Sequence, residues 1–182
     1  DLVRAVAATG IPVVAVFVEG RPRTFSQVEP LLDAAVMAYL PGDFGGPAIA
    51  QVLSGAHNPS GKLPFTWPRD ASSHVTYDRK HTENVHSDFS MNAFQPQYVF
   101  GHGLSYSTVE TSGIEVIGGG EIHVGDDIEL EVTLVNTGNR PSYEVVMVFA
   151  QDHVASITPS VDKLKAYKRV LVDAGATVKV RL

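Results

Sequence analysis

The spacing of apolar residues changes character along the chain and divides it into three stretches. Leu2, Val3, Val6 and Ala7 recur at helical spacing, and Gly10 stands where a helix C-cap would. Residues 11–18, IPVVAVFV, form a continuous apolar run rich in β-branched side chains, the pattern of a strand buried on both faces. Glu19-Gly20-Arg21-Pro22 breaks that run. A short helix is predicted over 25–32, and 34–40 gives a second apolar run that ends at Pro41-Gly42. Gly45-Gly46-Pro47 then opens the helix AIAQVLSG, with proline in its first turn. Helices alternating with two or three strands predict a partial parallel α/β sandwich with crossover connections.

From residue 113 onward the period falls to two. Ile128, Leu130, Val132 and Leu134 alternate with polar residues, and VVMVFA and ATVKVRL read as further strands. The turns come from residues 118–120, GGG, and 136–139, NTGN. This half predicts an all-β immunoglobulin or fibronectin III-like sandwich, left incomplete by its short length. Residues 70–97 between the halves are polar and without sustained period, a long connection of a kind that is often functional. The resulting division is an α/β part over 1–69, a connecting loop over 70–106 and a β part over 107–182. Asp1 opens into a helical pattern and Leu182 closes inside a strand pattern, so both ends read as cut.

Composition narrows the function classes. The chain has 182 residues, 44% hydrophobic and 19% charged, with a net charge of -6. That is a globular balance, and its acidity argues against nucleic acid as a partner. Basic residues gather only in KLKAYKR, 163–169, read as a solvated strand edge guarded by charge rather than a binding patch. No cysteine is present, which excludes disulfides and a thiol nucleophile. The run at 11–18 is too short to cross a membrane.

Two strings are too specific for periodicity to produce: NPSGKLPFTWPR at 58–69 and FGHGLSY at 100–106. Their glycines and prolines each fix a backbone geometry few residues allow. With VVAVFVEGRP, AAVMAYLPGDFGGPAIAQVLSG, VTLVNTGNRPSYEVVMVFAQD and KLKAYKRVLVDAGATVKVRL, they follow in order the wording of the C-terminal half of family 3 glycoside hydrolases, the β-glucosidase and β-xylosidase group. The chain resembles that family over nearly its whole length. The resemblance implies a parent that hydrolyses terminal β-linked sugars of oligosaccharides or β-glycosides with retention, through two carboxylates about 5–5.5 Å apart. It places the nucleophilic Asp in a barrel domain and the acid/base Glu in an earlier loop, both upstream, so no catalytic residue is assigned in this chain. It implies no cofactor, a missing N-terminal barrel polypeptide as partner, room for a homodimer, and a periplasmic or secreted location. The other class considered is a non-catalytic carbohydrate- or protein-binding β-sandwich module.

Candidate binding residues follow from position. Glu19 and Asp43 come after strands, where open parallel sheets bind ligands. Their plainer readings are a solvated turn residue and a loop or helix N-terminal carboxylate favoured by the dipole. Asp33 is the third carboxylate near the sheet. In the long connection Tyr77, Asp78, Arg79 and Lys80 combine an aromatic ring with charges suited to sugar hydroxyls. The resemblance implies that this connection can approach the cleft or a partner subunit. His74, His81, His86 and His102 have no metal-ligand spacing and read as solvated loop residues. Ser60, Ser105 and Ser107 lack a nucleophile elbow, and Leu104-Ser105-Tyr106 reads as a structural corner. Phe65 and Trp67 read as packing in an edge strand between Pro64 and Pro68.

Overall fold

The computed structural model describes residues 1–73, 76–80, 95–119 and 121–182. Strands dominate the regular structure and helices are few. The chain forms two compact units that interleave: Asp1–Ser54 with Leu63–His102, and Gly55–Lys62 with Gly103–Leu182.

In the first unit, helix α1 (Leu2–Ala7) precedes strand β1 (Val14–Phe17), and strand β2 (Ala34–Met37) precedes helix α2 (Gly45–Leu53). β1 and β2 pair in parallel with Val14 opposite Ala34 and Phe17 opposite Met37. The α/β order expected from the sequence is present here. The helix expected over 25–32 shrinks to a 3-10 turn, Glu29–Leu31. Leu31 N donates to Val28 O and Leu32 N to Glu29 O, both at 2.9 Å, and Pro30 supplies no N–H to extend an α-helix. The strand expected over 11–18 is shorter and less covered than its composition predicts. None of its four residues is fully buried, because among the described residues β1 has only β2 as a neighbour.

The interior of this unit is a cluster of rings. Trp67, 2% exposed, lies edge-on to Phe25 with centroids 5.6 Å apart and near Phe65 at 5.9 Å and Phe17 at 6.3 Å. Phe25 in turn meets Phe17 at 4.9 Å and Tyr98 at 6.1 Å. The edge strand expected around Trp67 reduces to one bridge with Tyr98, since prolines at 64 and 68 cannot donate to a ladder. Trp67 N donates to Tyr98 O at 2.8 Å, and the indole N–H donates to Arg23 O at 3.0 Å.

In the second unit β3 (Val109–Val116), β4 (Leu130–Asn136) and β7 (Thr177–Arg181) form an antiparallel sheet in the order β3-β4-β7. β5 (Ser142–Ala150) and β6 (Lys163–Val172) form a second antiparallel pair. Val132 and Leu134 of β4 and Val180 of β7 meet Val146 of β5 and Val172 of β6 in one apolar core. The period of two holds in β4, where Val132, Leu134 and Asn136 are buried in alternation. Ile128, expected within this strand, lies before it and is exposed. The ladder begins at Leu130, which exchanges backbone hydrogen bonds with Leu182. Asn136, expected in a turn, ends the strand on its core face.

Candidate functional site

The two long strings each divide between the units. Of NPSGKLPFTWPR, residues 58–62 belong to the second unit and residues 63–69 to the first; FGH and GLSY of the other string divide likewise at His102 and Gly103. In the second unit Asn58 Oδ1 accepts from Ser105 Oγ and from Tyr106 N, both at 2.8 Å, and its amide donates to Pro141 O at 3.0 Å. Ser105 Oγ also shares a hydrogen bond with buried Ser142 Oγ at 2.9 Å. A side chain on Gly103 would overlap the Gly61 carbonyl oxygen, so this approach requires glycine. Lys62 Nζ donates to Gly103 O and pairs with Glu144, each at 3.0 Å.

A second amide node sits beside this one. Asn136 is 0% exposed; its Oδ1 accepts from Ser107 Oγ at 2.8 Å and Gly138 N at 3.0 Å. Its Nδ2 donates to Arg140 O and Val172 O, both at 2.9 Å. Every polar site of the amide is used, which is what permits its burial. Ser105 and Ser107 are therefore joints of a hydrogen-bonded corner. Sequence reasoning found the corner and missed its organisers, Asn58 and Asn136. The available signal was an Asn opening each turn string, Asn-Pro-Ser and Asn-Thr-Gly.

Three carboxylates of the first unit, Glu19, Glu29 and Asp33, are occupied. Glu19 is not the solvated turn residue expected: its side chain is 16% exposed and one oxygen accepts from Arg23 Nε. Its other oxygen is buried without a hydrogen-bond donor among the described residues. Asp33 Oδ2 accepts from Val13 N at 2.7 Å and so anchors the chain just before β1. Glu29 accepts from the Tyr98 hydroxyl at 2.5 Å. Burial first, then the adjacent Glu29 carboxylate, pushes the Tyr98 phenol up to about 12. His102, expected to be solvated, is half-buried and stacks on the Tyr98 ring at 4.7 Å.

Asp43 is exposed on a turn of constrained backbone that follows β2. Tyr39 has φ 53° and Gly42 φ 67°, and a Cβ on Gly45 would come within 2.5 Å of Pro41 Cγ. Phe44 beside it is 82% exposed at the start of α2. The Tyr39 ring lies edge-on to Phe65 at 6.3 Å, and burial raises its phenol pKa. Neither Tyr39 nor Phe44 carries a sequence signal beyond the motif around it.

In the connection, Tyr77 packs edge-on against Phe100 with centroids 5.1 Å apart, Asp78 is exposed, and Arg79 and Lys80 are half-buried. No hydrogen bond or ion pair among the described residues joins Asp43 to Tyr77, Asp78, Arg79 or Lys80. His74, His81 and His86 lie outside the described residues. No group of three His, Asp or Glu among the described residues is placed to hold a metal ion. No helix of the described residues is long and apolar enough to cross a membrane.

The chain as a whole has counterparts among known proteins. Residues 1–106 match the Glycosyl hydrolase family 3 C-terminal domain, and the chain belongs to that family. It is 32% identical to the periplasmic β-glucosidase of Salmonella typhimurium across 96% of its length and 24% of the relative's. It is 36% identical to the lysosomal β-glucosidase of Dictyostelium discoideum across 93% of its length and 21% of the relative's. Among solved structures, a β-glucosidase from Erythrobacter marinus superposes with a TM-score of 0.92 at 33% identity, covering 100% of this chain and 24% of that one. The chain thus spans about a quarter of the length of the relatives it matches.

Proposed function

We infer that this chain works as part of a retaining, exo-acting β-glycosidase of the β-glucosidase kind, which hydrolyses terminal β-linked sugars. The observation that carries the reading is its correspondence with β-glucosidases along its entire length, at 33% identity and a TM-score of 0.92. In this reading the α/β part (1–69) and the fibronectin III-like part (107–182), joined through 70–106, are scaffold and cleft border. The catalytic Asp and Glu belong to the part of the relatives' length that this chain does not span. The carboxylates of the first unit agree with that division of labour, because Glu19, Glu29 and Asp33 are held by Arg23, Tyr98 and Val13. A retaining pair needs one carboxylate free to attack and another free to hand over a proton. Asp43 on its exposed turn, with Tyr77, Asp78, Arg79 and Lys80, is proposed to contact sugar hydroxyls. The relative named as periplasmic supports a periplasmic or secreted location.

Nitrophenyl β-glucoside hydrolysis tests the reading. The 182-residue chain alone is expected to show no turnover. Supplying the remaining three quarters of the relatives' length, as one polypeptide with it, is expected to give turnover. In that longer protein Asp43→Asn and Tyr77→Ala are expected to raise KM severalfold with kcat nearly kept, the pattern of lost substrate binding. Turnover by the chain alone would overturn the assignment of the chemistry to other residues.

A further inference from the structure

Charge is unevenly spread along this acidic chain. Residues 163–182 hold six of the 14 basic side chains and one of the 20 acidic ones. Strand β6 carries four of the six, and the structure shows how they are displayed. Lys163, Lys165, Tyr167, Arg169 and Leu171 are exposed, while Leu164, Ala166, Val170 and Val172 alternate with them toward the interior. Lys168, the fourth basic residue, is exposed at one of the alternate positions and donates to Arg181 O at 3.4 Å, outside the row. Tyr167 is 72% exposed. The row is thus Lys, Lys, Tyr, Arg on one side of a strand, with side chains near 6.6 Å apart at alternate positions. An extra β6 residue opposite Val148 and Phe149 of β5 falls at Lys165, within the row.

Guarding a sheet edge requires charge alone. This row has more than charge. The Arg169 guanidinium lies 3.6 Å from the centre of the Tyr143 ring on β5 and donates to Ser60 Oγ at 3.1 Å, so its orientation is fixed before any ligand arrives. The Lys163 and Lys165 side chains make no ion pair or hydrogen bond among the described residues. Both line a groove of about 190 Å³ at the start of β6, together with Gln151, Asp152 and Ser160. Asp152 is the acidic group at that groove, and Asp162 beside it accepts from Gln151 Nε2 at 2.6 Å.

We propose that the outer face of β6 is a binding site for an acidic polysaccharide, with uronate carboxylates on Lys163, Lys165 and Arg169 and a pyranose ring on Tyr167. The occupant follows from charge and shape together. The row is narrow, one strand wide, and suits a single flexible chain with about one charge per sugar. A duplex nucleic acid would bring phosphate charge from both strands against a protein whose other surfaces are acidic. This site is independent of the proposed hydrolysis and stands or falls without it.

The test uses the 182-residue chain, polygalacturonate as probe, neutral cellohexaose and single-stranded DNA as comparators, and isothermal titration at low and moderate salt. Polygalacturonate is expected to bind and cellohexaose to bind far more weakly, with affinity falling as salt rises. Lys163→Ala with Lys165→Ala is expected to weaken polygalacturonate binding about tenfold, and Tyr167→Ala about fivefold. All three side chains are exposed, and circular dichroism on each variant confirms that its fold is kept. Absence of polygalacturonate binding by the parent chain would overturn the proposal. So would binding unchanged in the Lys163/Lys165 variant, or single-stranded DNA bound as tightly as polygalacturonate.

Discussion

The two units solve the same problem, holding an irregular segment in place, with opposite chemistry. In the first unit residues 65–67 and 98 are held mainly by rings around Trp67, beside the backbone bonds that Trp67 makes with Gln97 and Tyr98 and the indole bond to Arg23 O. In the second unit residues 58–62 and 103–107 are held by two amide side chains, Asn58 and Asn136, whose polar atoms are all spoken for. A ring cluster is non-directional, so a neighbour of similar size and polarity can replace a lost one. An amide node is directional, and removing it strands every partner at once. The string NPSGKLPFTWPR contributes to both devices, Asn58 to one and Trp67 to the other, because it passes from the second unit to the first between Lys62 and Leu63.

The largest effect is expected at Trp67. Trp67→Ala removes the most buried ring and its bond to Arg23 O, and should cost about 3–5 kcal/mol. Thermal unfolding followed by far-ultraviolet circular dichroism would read it directly. Trp67→Phe keeps an apolar ring in the cluster and should cost less than half as much. Equal losses for the two variants would show that the indole bond, rather than ring packing, holds this segment, and the contrast between the units would collapse.

Asn136 comes next. Asn136→Ala leaves the Ser107 hydroxyl, Gly138 N–H and the Arg140 and Val172 carbonyls without this partner, at about 3 kcal/mol. Asn136→Leu is the sharper variant, since it restores apolar volume and none of the bonds. If the node works through direction, Asn136→Leu should be no more stable than Asn136→Ala in chemical denaturation. A Leu variant close to the parent would mean that volume decides at both places.

How far the sequence disclosed this arrangement follows from the same contrast. The parallel pair β1–β2, helix α2 and the alternation of β4 were legible because apolar spacing reports burial within one element. Trp67 read as an edge strand because the prolines around it signal edges, while its real neighbours, Phe17, Phe25 and Tyr98, lie far away in sequence. The run at 11–18 looked doubly buried because composition reports what could be covered, and the neighbours that would cover it are not in the described sheet. Glu19 and His102 looked solvated for a related reason: a loop position says nothing of Arg23 or the Tyr98 ring beside it. Among the candidate site residues, Asp43 sits on an exposed turn that its glycines and proline announce. The placement of Tyr77 against Phe100 had no local signal at all.

The smallest effect expected belongs to Tyr98, whose hydroxyl adds a second side-chain hydrogen bond to the ring cluster beside that of the Trp67 indole. Tyr98→Phe keeps the ring against Phe25 and His102 and deletes the bond to Glu29, at about 1 kcal/mol near neutral pH. The pH dependence reads the burial of the phenol and this bond together. The phenol's pKa is raised from 10.0 to about 12 in the folded chain, so folding favours the neutral hydroxyl. That contribution is fully present below pH 10 and disappears as pH rises toward 12. Parent and Tyr98→Phe melting temperatures should therefore converge between pH 9 and about 11.5. Glu131 in the second unit provides the opposing sign. Hydrogen bonds from Lys179 and Arg181 hold its carboxyl below the ordinary 4.5, so its contribution is present above that value and is lost on acidification. If the melting temperatures of parent and Tyr98→Phe stayed parallel through the alkaline range, neither the burial of the phenol nor its bond to Glu29 would favour the neutral hydroxyl in the folded chain.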